Sequence, residues 1–106
     1  MGPEAKVKAA VKKVLKEVGA YQHWGVMNGM GAPTLDCIAC YRGCYVGIET
    51  KAPGKVPTPR QDETIRKIAA AEGLVMVISS VEGAQNIKGW LEEHVSVVRR
   101  DRHQRS

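Results

Sequence analysis

Glu49-Thr50-Lys51 closes an apolar run, Cys44-Tyr45-Val46-Gly47-Ile48, and Asp36 opens another run of the same kind thirteen residues before Glu49. Two acids and a lysine at strand edges are the groups a metal-dependent phosphodiesterase uses. Side chains alternate along a strand, so Val46, Ile48 and Thr50 share one face while Tyr45, Gly47, Glu49 and Lys51 share the other. The first face belongs to a core; the second sets an acid and a lysine side by side. Arg42-Gly43 reads as a tight hairpin turn, which places residues near 36 opposite residues near 49. Adjacent carboxylates repel, and one pKa rises unless a cation sits between them. Oxygen ligands of this kind suit Mg²⁺ or Mn²⁺, which keep waters and take substrate phosphate oxygens. Lys51 is then placed to orient or deprotonate the attacking water or to neutralise the phosphate. Gln61 shares a helical stripe with Ile65 and Ile68, and a neutral amide there can hold a water or a phosphate.

The elements that must position these groups follow from periodicity. Val7, Ala10, Val11, Val14, Leu15 and Val18 form one helical stripe, ended by Gly19. Tyr21 to Val26 reads as a short strand, Asn28 to Pro33 as a glycine-rich loop, and Leu35–Tyr41 and Cys44–Lys51 as the hairpin strands. Thr58 caps a helix with Pro59 at its first position, and that helix stops at Gly73. Leu74 to Ile78 is continuously apolar, as in a strand covered on both faces. A last helix starts near Ala84. The order α-β-β-β-α-β-α gives an α/β fold, a small mixed sheet flanked by helices, with the helix over 59–72 as the crossover that makes the final strand pair parallel. Residues 1–98 form a single domain, and the arginine-rich residues 99–106 are expected to be a mobile tail.

A chain of 106 residues supports one modest core. No apolar stretch approaches a membrane span, and the lysine-rich start lacks a signal-peptide core, so a cytoplasmic protein is expected. Its net charge of +5 is unevenly placed: residues 1–18 carry five Lys and two Glu, and residues 99–106 carry four Arg and one Asp. Lys6, Lys12, Lys13, Lys16, Lys55, Arg60, Arg99, Arg100, Arg102 and Arg105 are candidate contacts for a phosphate backbone; a solvated helix face and a floppy tail fit the same charges. Three cysteines, an odd number, argue against a disulfide framework. Cys37, Cys40 and Cys44 lack the fourth ligand of a closed zinc site and read as buried small hydrophobes. Asn28-Gly29-Met30-Gly31 precedes a strand rather than a helix, so it is no nucleotide-cofactor motif.

Taken together, Gly31-Ala32-Pro33-Thr34-Leu35-Asp36, Ile48-Glu49-Thr50-Lys51-Ala52-Pro53-Gly54, Pro57-Thr58-Pro59-Arg60-Gln61 and Ala70-Ala71-Glu72-Gly73 resemble the PD-(D/E)xK nuclease superfamily. Within it, the match is to the virus-type replication-repair nuclease (VRR-NUC) family, whose stand-alone members are typical of bacteriophages. The resemblance implies a restriction-endonuclease-like core and divalent-metal-dependent cleavage of DNA. Branched DNA such as Holliday junctions would be the substrate, cut by a homodimer. It assigns Asp36 and Glu49, helped by the Thr50 carbonyl, as metal ligands, Lys51 as the catalytic lysine and Gln61 as the supporting residue. Glu4 matches a glutamate early in the family's first helix; it either completes the metal site or merely complements the helix N-terminus. Here Thr34-Leu35 separate Pro33 from Asp36, which is the sole acid between Glu17 and Glu49. A competing class is a DNA-binding module that kept the fold without cutting.

Overall fold

The computed structural model describes residues 1–25 and 33–105. The glycine-rich stretch Asn28–Ala32 and the proposed continuation of the first strand to Val26 lie outside the described residues, as do the Arg105 side chain and Ser106. The elements are α1 (Pro3–Glu17), β1 (Tyr21–Trp24), β2 (Cys37–Tyr41), β3 (Cys44–Thr50), α2 (Pro59–Ala70), β4 (Leu74–Ile78), α3 (Val81–Ala84) and α4 (Ile87–Arg105). One four-stranded sheet has the order β1-β2-β3-β4. Its first three strands are an antiparallel meander, and β4 joins β3 in parallel through the α2 crossover. This is the small mixed sheet with flanking helices that the sequence pattern required.

The core lies between one face of the sheet and the helices α1 and α4. Val7, Val11 and Leu15 of α1, at i, i+4 and i+8, are all buried. They meet Val46 and Ile48 of β3, and Leu91 and Val95 of α4, all 1% exposed or less. Trp24 and Trp90 pack partly buried against this cluster, whereas Tyr21 is exposed. Cys37 and Cys44 sit in the core as small hydrophobes; Cys40, an odd step from Cys37, is exposed instead.

Three sequence expectations change. The final helical stretch divides in two: Ser80 caps α3 by accepting the Gly83 N–H, and a break at residues 85–86 separates α3 from α4. The residues expected as a mobile tail are the last turns of α4, which continues to Arg105. β4 is covered on one face only: Met76 and Ile78 are buried while Val77 is 40% exposed.

Candidate active site

The β2–β3 register pairs Cys37 with Ile48 and Tyr41 with Cys44, so one further step along the ladder sets Asp36 opposite Glu49. Directly opposed side chains of an antiparallel pair point the same way, and these two carboxyl groups hydrogen-bond each other. Asp36 is also held by Thr50. Its Oδ2 accepts from the Thr50 N–H at 2.9 Å and from the Thr50 hydroxyl at 2.7 Å.

Glu49 lies on the face of β3 away from the α1–α4 core, as the alternation implies, yet it is only 2% exposed. Gly47, two residues earlier on the same face, explains this. A Cβ there would lie 3.1 Å from Leu35 Cδ1 and 3.2 Å from Ile68 Cδ1, so the missing side chain lets α2 and the segment before β2 close over the strand. The second face is thereby covered beside the acid.

Burial pushes the Glu49 carboxyl up to about 8, reinforced by the hydrogen bond to Asp36, the charge on Asp36 and that on Glu4, with Lys51 opposing. Burial works in the same direction on Asp36. There, hydrogen bonds from Glu49, the Thr50 N–H and the Thr50 hydroxyl, together with the charge of Lys8, outweigh it and hold the carboxyl below the usual range. At neutral pH the pair is therefore one ionised carboxylate, Asp36, accepting a proton held by Glu49. The two neighbouring acids have been driven apart in acidity by burial and unequal donors.

The structure thus brings Asp36, Glu49, Thr50 and Lys51 to one end of β3, with Glu4 and Lys8, one turn apart on α1, within electrostatic reach. Lys51 is half-buried, its backbone N–H donating to Ile78 O at 2.9 Å. Lys8 was missed by sequence reasoning, although its i+4 spacing from Glu4 puts both on one helix face. Gln61 is placed differently. It forms a capping box with Thr58: Gln61 Oε1 accepts the Thr58 N–H at 2.9 Å, and Thr58 Oγ1 accepts the Gln61 N–H at 3.2 Å. It is not among the groups that shift the acidity of either carboxyl.

Candidate DNA contacts are spread over α1, the segment from β3 into α2, and α4. Lys6, Lys12, Lys13 and Lys16 are exposed on α1, with Lys12 Nζ 5.1 Å from the centre of the Trp24 ring. Lys55 and Arg60 are exposed just after β3. Arg99, Arg100 and Arg102 are exposed near the far end of α4.

Among the described residues no group of three or more His, Cys, Asp or Glu side chains is arranged to hold a metal ion. Two carboxyl groups, one of them protonated through burial beside the other, still fit Mg²⁺ or Mn²⁺. These ions are commonly bound by one or two carboxylates, with waters and substrate phosphates completing the shell. Thr50→Val should test how far Thr50 sets the acidity of the pair. Loss of the hydroxyl donor is expected to raise the Asp36 pKa and to destabilise the fold by about 1–2 kcal/mol. Carboxyl titration by NMR and thermal melts would read the two effects.

No protein-family profile and no curated protein matches the chain. Its fold does match a solved structure, a "VRR_NUC domain", with a TM-score of 0.73 at 20% identity, covering 89% of this chain and 98% of the other. The α/β architecture is therefore that of a VRR_NUC domain. No helix among the described residues is long and apolar enough to cross a membrane.

Proposed function

We propose that this domain is a Mg²⁺- or Mn²⁺-dependent DNA endonuclease that hydrolyses phosphodiester bonds in branched DNA, acting as a homodimer in the cytoplasm. The carrying observation is the Asp36–Glu49 pair with Lys51 beside it, at the end of a strand in a VRR_NUC fold. Nothing in an ordinary structural role calls for two carboxylates pressed together, one of them nearly fully buried.

Asp36 and Glu49 would hold the ion, with the Thr50 carbonyl and Glu4 as further donors. Bound there, a divalent ion supplies Lewis-acid stabilisation of the scissile phosphate and lowers the pKa of the attacking water. Glu49 must release its proton for this, and the neighbouring Lys51 charge favours the ionised form. Thr50 keeps Asp36 ionised and fixed in orientation through two donors to one oxygen. Lys51 orients the water and offsets charge growing on the phosphate. Gln61 contributes through α2: its capping box fixes the first turn of the helix, whose N–H groups and Arg60 lie after the strand that carries the site. The lysines of α1 and the arginines of α4 contact the backbone, which reads no sequence and suits a structure-selective enzyme.

A panel of duplex, flap, fork and four-way DNA tests this reading. Cleavage of branched substrates is expected with Mg²⁺ and Mn²⁺ and none with EDTA, while Ca²⁺ supports binding. Sedimentation should give twice the monomer mass. Binding of branched DNA without cleavage under any divalent metal would instead make the domain a non-catalytic DNA-binding module.

A further inference from the structure

The β2–β3 turn carries an unexplained choice of residue. Arg42 has φ 51° and Gly43 φ 81°. Two positive values in succession are those of a type I′ hairpin turn, whose first position favours Asn, Asp or Gly. A long side chain there is strained, and strain of this kind persists where the residue is used for something else.

Arg42 also has company. Together with Val95, Ser96, Arg99 and Arg100 it lines a cleft of about 280 Å³ between the turn and the last turns of α4. Arg102 ties the two elements together, donating from Nη1 to Gly43 O at 3.2 Å. The lining thus carries three guanidinium groups and no acid. Glu92 stands one turn earlier on the same helix stripe as Ser96, and Asp101 follows Arg100 in sequence. Guanidinium forks of this kind match phosphate oxygens.

The cleft lies at the opposite end of β3 from the carboxylates. Gly43 and Glu49 are six residue steps apart. At about 3.3 Å each these steps put the two ends roughly 20 Å apart, the span of some six base pairs at ~3.4 Å each.

We infer that Arg42, Arg99 and Arg100 form a second phosphate-binding site that grips a DNA duplex arm about six base pairs from the scissile bond. The inference rests on the nuclease reading for the position of the cut, but not for the grip itself. One duplex arm crosses the surface of the domain in the direction of β3, held at the turn and cleaved at the other end. The enzyme therefore measures arm length: an arm too short to reach the turn loses this contact.

The test compares wild type with the R42E/R99E/R100E variant by fluorescence anisotropy in Ca²⁺, on forked DNA with arms of either 20 or 4 base pairs. On long arms the variant should bind at least about 30-fold more weakly, with the slope of log K against log salt reduced by about 2–3. On short arms the two proteins should bind equally. Equal losses on both arms, or no loss on long arms, would overturn the inference. R42N separates binding from folding. Relief of the turn strain should raise its Tm by about 3 °C, while its affinity for long arms falls several-fold; unchanged affinity would remove Arg42 from the site. Since binding is read in Ca²⁺, failure of the nuclease reading would appear in the cleavage assay, and failure of this inference only in the arm-length dependence.

Discussion

Lys51→Ala and Asp36→Asn are each expected to slow Mg²⁺-dependent cleavage by about 1,000-fold or more. Binding of the same DNA in Ca²⁺ should change by less than about threefold. Lys51 is half-buried and acts directly on Glu49. Its loss removes the charge that helps Glu49 ionise and the group that orients water. Asp36→Asn keeps the shape of the side chain but removes the member of the pair that is ionised in the free protein. A neutral amide is a poor ligand for Mg²⁺. Single-turnover cleavage on a forked substrate, with binding measured in parallel, would check both. Retained cleavage in either variant would sink the assigned chemistry, and loss of binding along with cleavage would point to a damaged fold.

Glu49→Gln should uncouple stability from function. The Glu49 carboxyl ordinarily titrates near 4.5 and in the folded protein near 8. Between those values the native state holds a proton that the unfolded chain has released, so stability falls as pH rises, by about 1.4 kcal/mol per pH unit for this group. Its favourable contribution is complete below 4.5 and is lost on passing 8. Asp36, shifted the other way, contributes stability above its ordinary value of 3.8 and loses it only in acid, outside this window. The amide of the variant has no proton to lose. In EDTA, the variant and wild type should melt alike near pH 4.5, and the variant should melt several degrees higher at pH 8.5. Added Mg²⁺ should reverse the order at pH 8.5, because only wild type gains by binding the ion. Cleavage by the variant should fall below detection. A variant less stable than wild type at pH 8.5 in EDTA would show that Glu49 is ionised and well paired in the fold.

How much of this was legible in the sequence depends on the range of the interaction. The carboxylate pair was readable because a two-residue turn fixes register: once Arg42-Gly43 is the turn, Asp36 must face Glu49. The parallel final pair followed from the length of the crossover. Burial of Glu49 was not readable, because it depends on Leu35 and Ile68 meeting over Gly47, a contact between segments distant in sequence. The capping role of Gln61 is legible in Thr58-x-x-Gln61, a capping-box pattern that competes with the site for the same amide. α4 outran its expected end because charged residues with good helix propensity, Arg99 to Arg105, continue a helix already anchored by Leu91 and Val95. Lys8 escaped notice because a lysine among five on one helix carries no mark of its own.

The hairpin also sets an order of assembly. A hairpin zips from its turn, closing neighbouring rungs on a microsecond scale before distant ones. Tyr41 opposite Cys44 is the first rung beyond the Arg42-Gly43 turn and Cys37 opposite Ile48 the last, with Asp36 and Glu49 one step further. β4 and α2 come later in the chain and complete the cover over Glu49 only when the crossover closes. The two acids therefore pair late in folding, after the rest of the ladder is in place to hold them.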